Sequence, residues 1–324
     1  MKQTPCGDVL VSERNRPLNE MELIALEHAC TTVALEILKS QAVEEARNRV
    51  ERDFLADLFA GHFHSADILM QRAEALGIKL GKTTGVLVVD IDHFERLVRE
   101  NGEEWAQEIK SKLVSIVRAC LGNLTPPPLI TSQSDSVSCL IHWPGGGQEK
   151  EKRLKQQLMD RGEKILARVA SELPSVGVSI GVSGPFADIM RISDEYAQAR
   201  TAIRIARRVW GPGHCVHVCE VAAYRLFYNS PLGGEFNHYC REKLGPLEEY
   251  DSAGSSNLTA TLKAVIDCQG NRTEAAKRLF LHRNTLTYRI HQIERILDVD
   301  LSNHDHFFEL MLAMKLKPLV GPTK

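Results

Sequence analysis

The sequence predicts a multidomain α+β chain in three parts: a long N-terminal helix, a central α/β sandwich, and a C-terminal all-α domain. Three observations carry this. From Asn19 to about Gly61 apolar residues recur at helical spacing; from Gly81 to Val221 apolar strands alternate with charged or alanine-rich helices; beyond Asn257 only short amphipathic helices follow one another. With 324 residues there is room for two or three domains, and 43% hydrophobic with 25% charged residues is the balance of globular units rather than of disorder. The expected limits are 1–61, 62–221, a helical junction 222–256, and 257–324.

In the first part, Gly7 to Ser12 reads as a short strand and Arg16 to Asn19 as a turn, with Asn19 and Glu22 spaced as a capping box. Leu23, Leu26, Ala29, Val33, Ile37, Ala42, Val50, Phe54 and Leu58 then form an apolar stripe, with Glu44, Glu45, Arg47, Arg49, Glu51, Arg52 and Asp53 on the surface between. A helix of this length exceeds what one small domain needs, which points to a signalling or dimerising element; a linker broken near Ser40 is the alternative. No apolar run approaches the roughly 20 residues of a membrane span, and the first residues lack a signal-peptide core, so a cytoplasmic protein with no membrane partner is expected.

The middle part opens with a helix from Ser65 to Leu76, then a buried strand, Gly85 to Asp92, ending in two acids. A helix from Phe94 to Leu121 follows, then Pro126 to Pro128, a hairpin of Leu129–Thr131 with Val137–Trp143, and a loop at Gly145 to Gly147. Helix 149–172, strand Ser175–Val182, an alanine-rich helix Ile189–Val209 and a strand Cys215–Val221 complete it. The eight cysteines show no C-x-x-C pair, so reduced thiols are expected. Cys215, His217 and Cys219 would share one face of a strand beside His214. Zinc sites draw their ligands from turns and separate elements, so packed strand residues fit better than a metal site.

Between Ala222 and Ser256 a short helix around Arg225 to Tyr228 and another from Glu235 to Glu249, interrupted at Gly245-Pro246, lead to a flexible connector at Ser252 to Asn257. A helix from Leu258 begins the last domain. Gly270 can close it in a left-handed conformation, and Asn271 with Glu274 has capping-box spacing for the helix from Arg272 to Leu279. A second helix starts near Arg283, where Leu286, Ile290, Ile293 and Leu297 share one face. Asn284, Tyr288, His291 and Arg295 fall opposite, flanked by Thr285 and Thr287. These side chains hydrogen-bond to base edges and phosphates. Arg283 and Arg289 lie nearer the flanks, suiting phosphate contact or packing. The stretch from Asn271 to Leu297 holds six arginines and lysines against two acids, in a chain whose formal net charge is −2. The bland reading is an ordinary amphipathic hairpin with solvated charges.

His282-Arg283-Asn284-Thr285-Leu286-Thr287-Tyr288-Arg289 resembles the signature of the PucR and CdaR family of bacterial transcriptional regulators, an Ala-rich helix, an apolar turn and then H-R-N-T-L-x-Y-R. The likeness continues through Leu297 to Leu301 and a closing helix to Lys317. It implies double-stranded DNA as partner, a homodimer on half-sites about one helical turn apart or a multiple of it, and a small-molecule effector controlling a catabolic operon. The DNA-contacting set is then Arg272, Thr273, His282, Arg283, Asn284, Thr285, Thr287, Tyr288 and Arg289. His282 stands where Ser or Thr would cap a helix and is read as a contact residue.

The residues from Gly7 to Ala42 resemble the last strand and helix of a GAF-type sensing domain. Asp90-Ile91-Asp92-His93-Phe94 resembles the metal-binding first strand of GGDEF-family diguanylate cyclases, where acids hold magnesium against nucleotide phosphates. The remaining cyclase features are absent. Gln133-Ser134-Asp135-Ser136-Val137 replaces the glycine- and acid-rich hairpin, Val98 stands where the enzymes hold guanine with Asn, and Gln107 replaces an acid. The sequence also has no nucleophile elbow, phosphate-binding Walker loop or H-E-x-x-H. The expectation is a degenerate GGDEF-like domain with no catalytic residues, cofactor or metal, in which Asp90 and Asp92 keep a weak cation or cap the next helix. The alternative is a nucleotide-binding or cyclase-like sensor using Asp90 and Asp92, with the C-terminal helices as a partner-docking module.

Overall fold

The computed structural model describes residues 9–11, 18–122, 124–145, 148–228, 230–254 and 256–320. Of the expected first strand only Val9 to Val11 lie among them, and these are not in a strand; Gly7 and Ser12 fall outside, as do Arg16 and Pro17 of the turn. Helix α1 runs unbroken from Glu20 to Ala60. Its capping box closes as expected: Glu22 N–H donates to Asn19 Oδ1 at 2.9 Å, and Asn19 N–H to Glu22 Oε2 at 2.9 Å. Gly61 ends it at φ +74°. Among its described side chains those of the last turns are the buried ones, Phe54, Leu55, Leu58 and Phe59, whereas Leu23, Val33, Leu35 and Leu38 are about half exposed or more.

Helix α2 (Ala66–Ala75) is capped by Ser65, whose Oγ accepts from Ile68 N–H. Strand β1 (Thr83–Ile91) follows and is buried along its whole length. The expected helix from Phe94 to Leu121 is two helices, α3 (Phe94–Asn101) and α4 (Glu103–Leu121), because Gly102 between them sits at φ +89°, outside helical geometry. Then come β2 (Leu129–Gln133), β3 (Ser136–Trp143), α5 (Gln148–Glu172) and β4 (Val178–Phe186). A 3-10 turn at Ile189–Arg191 enters α6 (Ile192–Val209), and β5 (Cys215–His217) is far shorter than the strand expected to reach Val221.

The sheet order is β2-β3-β1-β4-β5, antiparallel except for the β4–β5 pair. Both faces of β1 are packed, so its sequence is continuously apolar rather than alternating. Leu87, Val89 and Ile91 face a core with Ile109, Leu113 and Val117 of α4 and Leu158 and Ile165 of α5. Val86 and Val88 face the other core, with Phe54, Leu58 and Phe59 of α1, Leu69 of α2, and Ala199 and Ile203 of α6. Helix α6 approaches β4 so closely that a Cβ at Gly181 would lie 2.2 Å from the Ala199 carbonyl oxygen.

The remaining chain is helical: α7 (Ala222–Tyr228), α8 (Gly233–Ala253), α9 (Leu258–Asp267), α10 (Arg272–Arg278), α11 (Arg283–Leu297) and α12 (His304–Val320). Two expectations need correction here. Helix α8 continues through Pro246, since Leu244 and Leu247 on either side are held in one core with Leu258, Leu262, Ile293 and Leu310, which offsets the lost backbone bond. The connector after it is tied rather than loose: Asp251 accepts from the amides of Leu258 and Thr259, both at 2.8 Å, joining the end of α8 to the start of α9. Although burial pushes the Asp251 carboxyl up, these amide bonds outweigh it and hold its pKa below the ordinary value.

Candidate nucleic-acid interface

Helices α10 and α11 are set by their caps and their buried faces. Gly270, at φ +77°, turns the chain out of α9. Asn271 Oδ1 then accepts from the amides of Thr273 and Glu274, both at 3.1 Å. The return half of the expected capping box does not form, because the Asn271 amide already donates to the Cys268 carbonyl. Ala275 and Ala276 are buried against Val265, Leu286 and Ile290, and their small size allows the close crossing. Ile293 continues the buried face of α11, with Leu297 partly buried beside it.

On the opposite side Asn284, Tyr288, His291 and Arg295 are all exposed, as are Arg272, Thr273, His282, Arg283 and Thr285. His282 is the N-cap of α11: its Nδ1 accepts from Asn284 N–H at 3.2 Å. The imidazole thus caps the helix in place of the Ser or Thr usual there, and an Nδ1 acceptor leaves Nε2–H as the donor for the contact expected of it. Thr287 is half-buried and donates to the Arg283 carbonyl at 3.0 Å. Arg289 turns inward, its Nη1 donating at 3.2 Å to Oγ1 of the fully buried Thr261 in α9. His291 is drawn to Glu294 at 3.0 Å, and that carboxylate also accepts from Leu301 N–H. One residue escaped the sequence reading: Phe280, in the turn between the helices, is 97% exposed at φ +55°. Its signal was present, a third large apolar side chain in a turn where Leu279 and Leu281 already supply the inward contacts.

Asp90 of β1 and Asp92 just beyond it lie elsewhere, between the sheet and the end of α6. Arg207 occupies them: its Nε donates to Asp92 Oδ1 at 2.6 Å and its Nη2 to Asp90 Oδ1 at 2.5 Å and to the Asp90 carbonyl at 3.2 Å. Ser179 adds a 2.7 Å bond to the same Asp92 oxygen. The Asp90 carboxyl is pushed up by burial, against the pull of Arg207. A guanidinium therefore stands where a metal ion would have to bind, and Asp92 does not cap α3, whose N-cap is His93 without any side-chain capping bond. Among the described residues no three His, Cys, Asp or Glu converge as metal ligands. His217 spends both ring nitrogens, Nε2–H donating to the Gly184 carbonyl at 2.7 Å and Nδ1 accepting from Cys219 N–H at 3.1 Å, and burial lowers its pKa. The described cysteines are all free thiols, and among the described residues no helix is long and apolar enough to cross a membrane.

Residues 258–316 match the PucR C-terminal helix-turn-helix domain, and residues 60–205 match the GGDEF-like domain. The chain thus carries, in order, a GGDEF-like domain and the PucR-type helix-turn-helix domain. Three curated relatives from Bacillus subtilis align along nearly all of it. They are the DNA-binding transcriptional activator AdeR, 23% identical over 96% of this chain and 70% of the relative; the proline-responsive transcriptional activator PutR, 22% identical over 96% and 72%; and the purine catabolism regulatory protein, 20% identical over 98% and 58%. The chain thus spans between 58 and 72% of their lengths. All three are named as regulators rather than as enzymes.

Proposed function

We propose that this chain is a DNA-binding transcriptional regulator of the PucR/CdaR family, and that α11 reads base edges in the major groove. The observation that carries the reading is the division of α11: Leu286, Ile290 and Ile293 are fully buried, while Asn284, Thr285 and Tyr288 project outward from a capped N-terminus. Arg272, Thr273, His282 and Arg283 surround that face and supply phosphate contacts. Arg289 and Thr287, bonded within the domain, position the helix rather than touch DNA. Phe280 joins the contact set as an apolar side chain suited to a thymine methyl.

Two copies act together. Leu23, Leu26, Cys30, Val33 and Ile37 of α1 recur at alternating steps of three and four, and among the described residues none of the five is buried. A second copy of the same helix is the occupant that this self-complementary seam favours. The central domain, 62–221, serves as scaffold, since Arg207 holds its carboxylate pair, and no catalytic role is assigned to Asp90 or Asp92. We place the start of the DNA-binding unit at Gly233 rather than 257, because α8 shares the core of α9, α11 and α12. By analogy with its relatives the regulated genes are catabolic and the control responds to a small effector.

Fluorescence anisotropy with fragments from upstream of its own gene tests the reading across a salt series. Asn284→Ala should weaken the cognate fragment by about 1–3 kcal/mol and leave random DNA nearly unchanged. Arg283→Ala should weaken both and reduce the salt slope by about one. No binding to any fragment even at low salt would overturn the proposal.

A further inference from the structure

Between the central domain and the C-terminal helices lies a cavity of about 710 Å³, within the range of small-molecule sites. One wall comes from the end of α6 and from α7, with Trp210 and Tyr224 set edge to face at 6.4 Å. The other comes from α9, α10 and α12, where Ile266 and Met314 add apolar surface. Four cations line it, Lys263, Arg278, Lys315 and Lys317, against one acid, Asp267. Lys317 is partly committed to Glu248, and Arg278 to Asp267 at 3.3 Å. Lys315 lies 5.7 Å over the Tyr224 ring, and Lys263 pairs with no carboxylate among the described residues. An aromatic wall with surplus positive charge selects a flat apolar body carrying a carboxylate, sulfonate or phosphate.

We propose that this cavity binds a flat organic anion and that the bound anion biases how the DNA-reading helices sit against the central domain. The regulatory half rests on the DNA-binding reading above. Its basis is that the cavity spans both bodies. Arg278 ends α10, the first helix of the reading pair, while Trp210 directly follows α6, whose Arg207 grips the sheet. Arg208 also donates to the Leu319 carbonyl of α12 at 2.8 Å, so the two walls already touch beside the cavity. An anion drawing Arg278 away from Asp267 acts on α10 itself, and by linkage DNA binding must shift affinity for the anion by the same factor.

The test uses the full chain and the fluorescent aromatic sulfonate anilinonaphthalene sulfonate, with neutral phenylnaphthylamine as its uncharged counterpart. Wild type should bind the sulfonate at one site with quenching of tryptophan emission, and Trp210→Phe should abolish that quenching. The exposed double variant Lys263→Glu with Lys315→Glu should lose at least tenfold in affinity while melting at the same temperature, and the neutral compound should bind wild type at least tenfold more weakly. Equal affinity in the double variant, or for the neutral compound, overturns the site. Saturating sulfonate should change the Kd of wild type for DNA at least threefold and leave that of the double variant unchanged. An unmoved Kd in a protein that binds both overturns the regulatory half. Retained sulfonate binding without any DNA binding overturns the reading of α11 and leaves the cavity standing.

Discussion

Replacing Arg207 with alanine removes the only cation bonded to Asp90 and Asp92 among the described residues while leaving both carboxylates in place. Their side chains are 10% and 5% exposed, and that of Arg207 27%, so neither acid can turn to water for compensation. Deleting one partner of a buried ion pair costs about 3–5 kcal/mol, mostly through the stranded charge, and bonds to two carboxylates and a backbone carbonyl place this case toward the upper end of that range. The sign with pH follows from Asp90, whose pKa burial already holds above the ordinary value. Removing Arg207 raises it further, so the folded variant takes up a proton that the unfolded chain does not hold. The penalty is therefore small below the unfolded pKa and grows as pH rises through the folded one. Urea unfolding of wild type and Arg207→Ala at mildly acidic and mildly alkaline pH should show the stability gap widening with pH. Adding Asp90→Asn and Asp92→Asn should narrow it. A variant as stable as wild type at alkaline pH would refute the account of Arg207 as the neutralising partner of the pair.

Asp251→Ala should lower the stability of the C-terminal helices by about 1.5–3 kcal/mol, through loss of two charge-assisted amide bonds at the start of α9. Because its folded pKa is lowered, that contribution is complete above the unfolded value and fades as pH falls through the folded one, so urea midpoints of variant and wild type should converge in acid. Gly181→Ala should cost about 1–3 kcal/mol by thermal unfolding, since its methyl meets the α6 backbone rather than a yielding side chain. Leu23→Glu with Val33→Glu should convert a dimer to a monomer in light scattering without changing the melting of the sheet domain, as both residues are about half exposed.

What could be read from the sequence was local. The buried face of α11 follows from spacing, the caps at Asn19 and Asn271 from residue type and offset, and the burial of β1 on both sides from an unbroken apolar run. Local patterns also misled where tertiary packing overrode them. Pro246 reads as a helix end, yet buried leucines on both sides keep α8 intact, and Ser252 to Asn257 reads as loose until Asp251 is seen accepting the amides of α9. In contrast, Gly102 is a break that its own residue type announces, outweighed in the reading by the apolar spacing around it. Arg207 was out of reach for a different reason. It lies 117 residues from Asp90, and nothing in either segment names the other. The acids were therefore legible as a pair and illegible as a pair held by a guanidinium, which is the difference between a metal candidate and a structural lock.

Helix α1 holds a consequence of another kind. From Glu20 to about Val50 it has roughly 45 Å of length at 1.5 Å per residue, and none of its described side chains there is buried. A helix draws most of its stability in water from packing rather than from propensity, so order in this segment is conditional on company. On the proposed pairing with a second copy, coiling and association of α1 become one equilibrium, and its helix content in far-ultraviolet dichroism should rise with protein concentration while the sheet domain stays constant. The cell's own copy number would set how straight a rod these residues present.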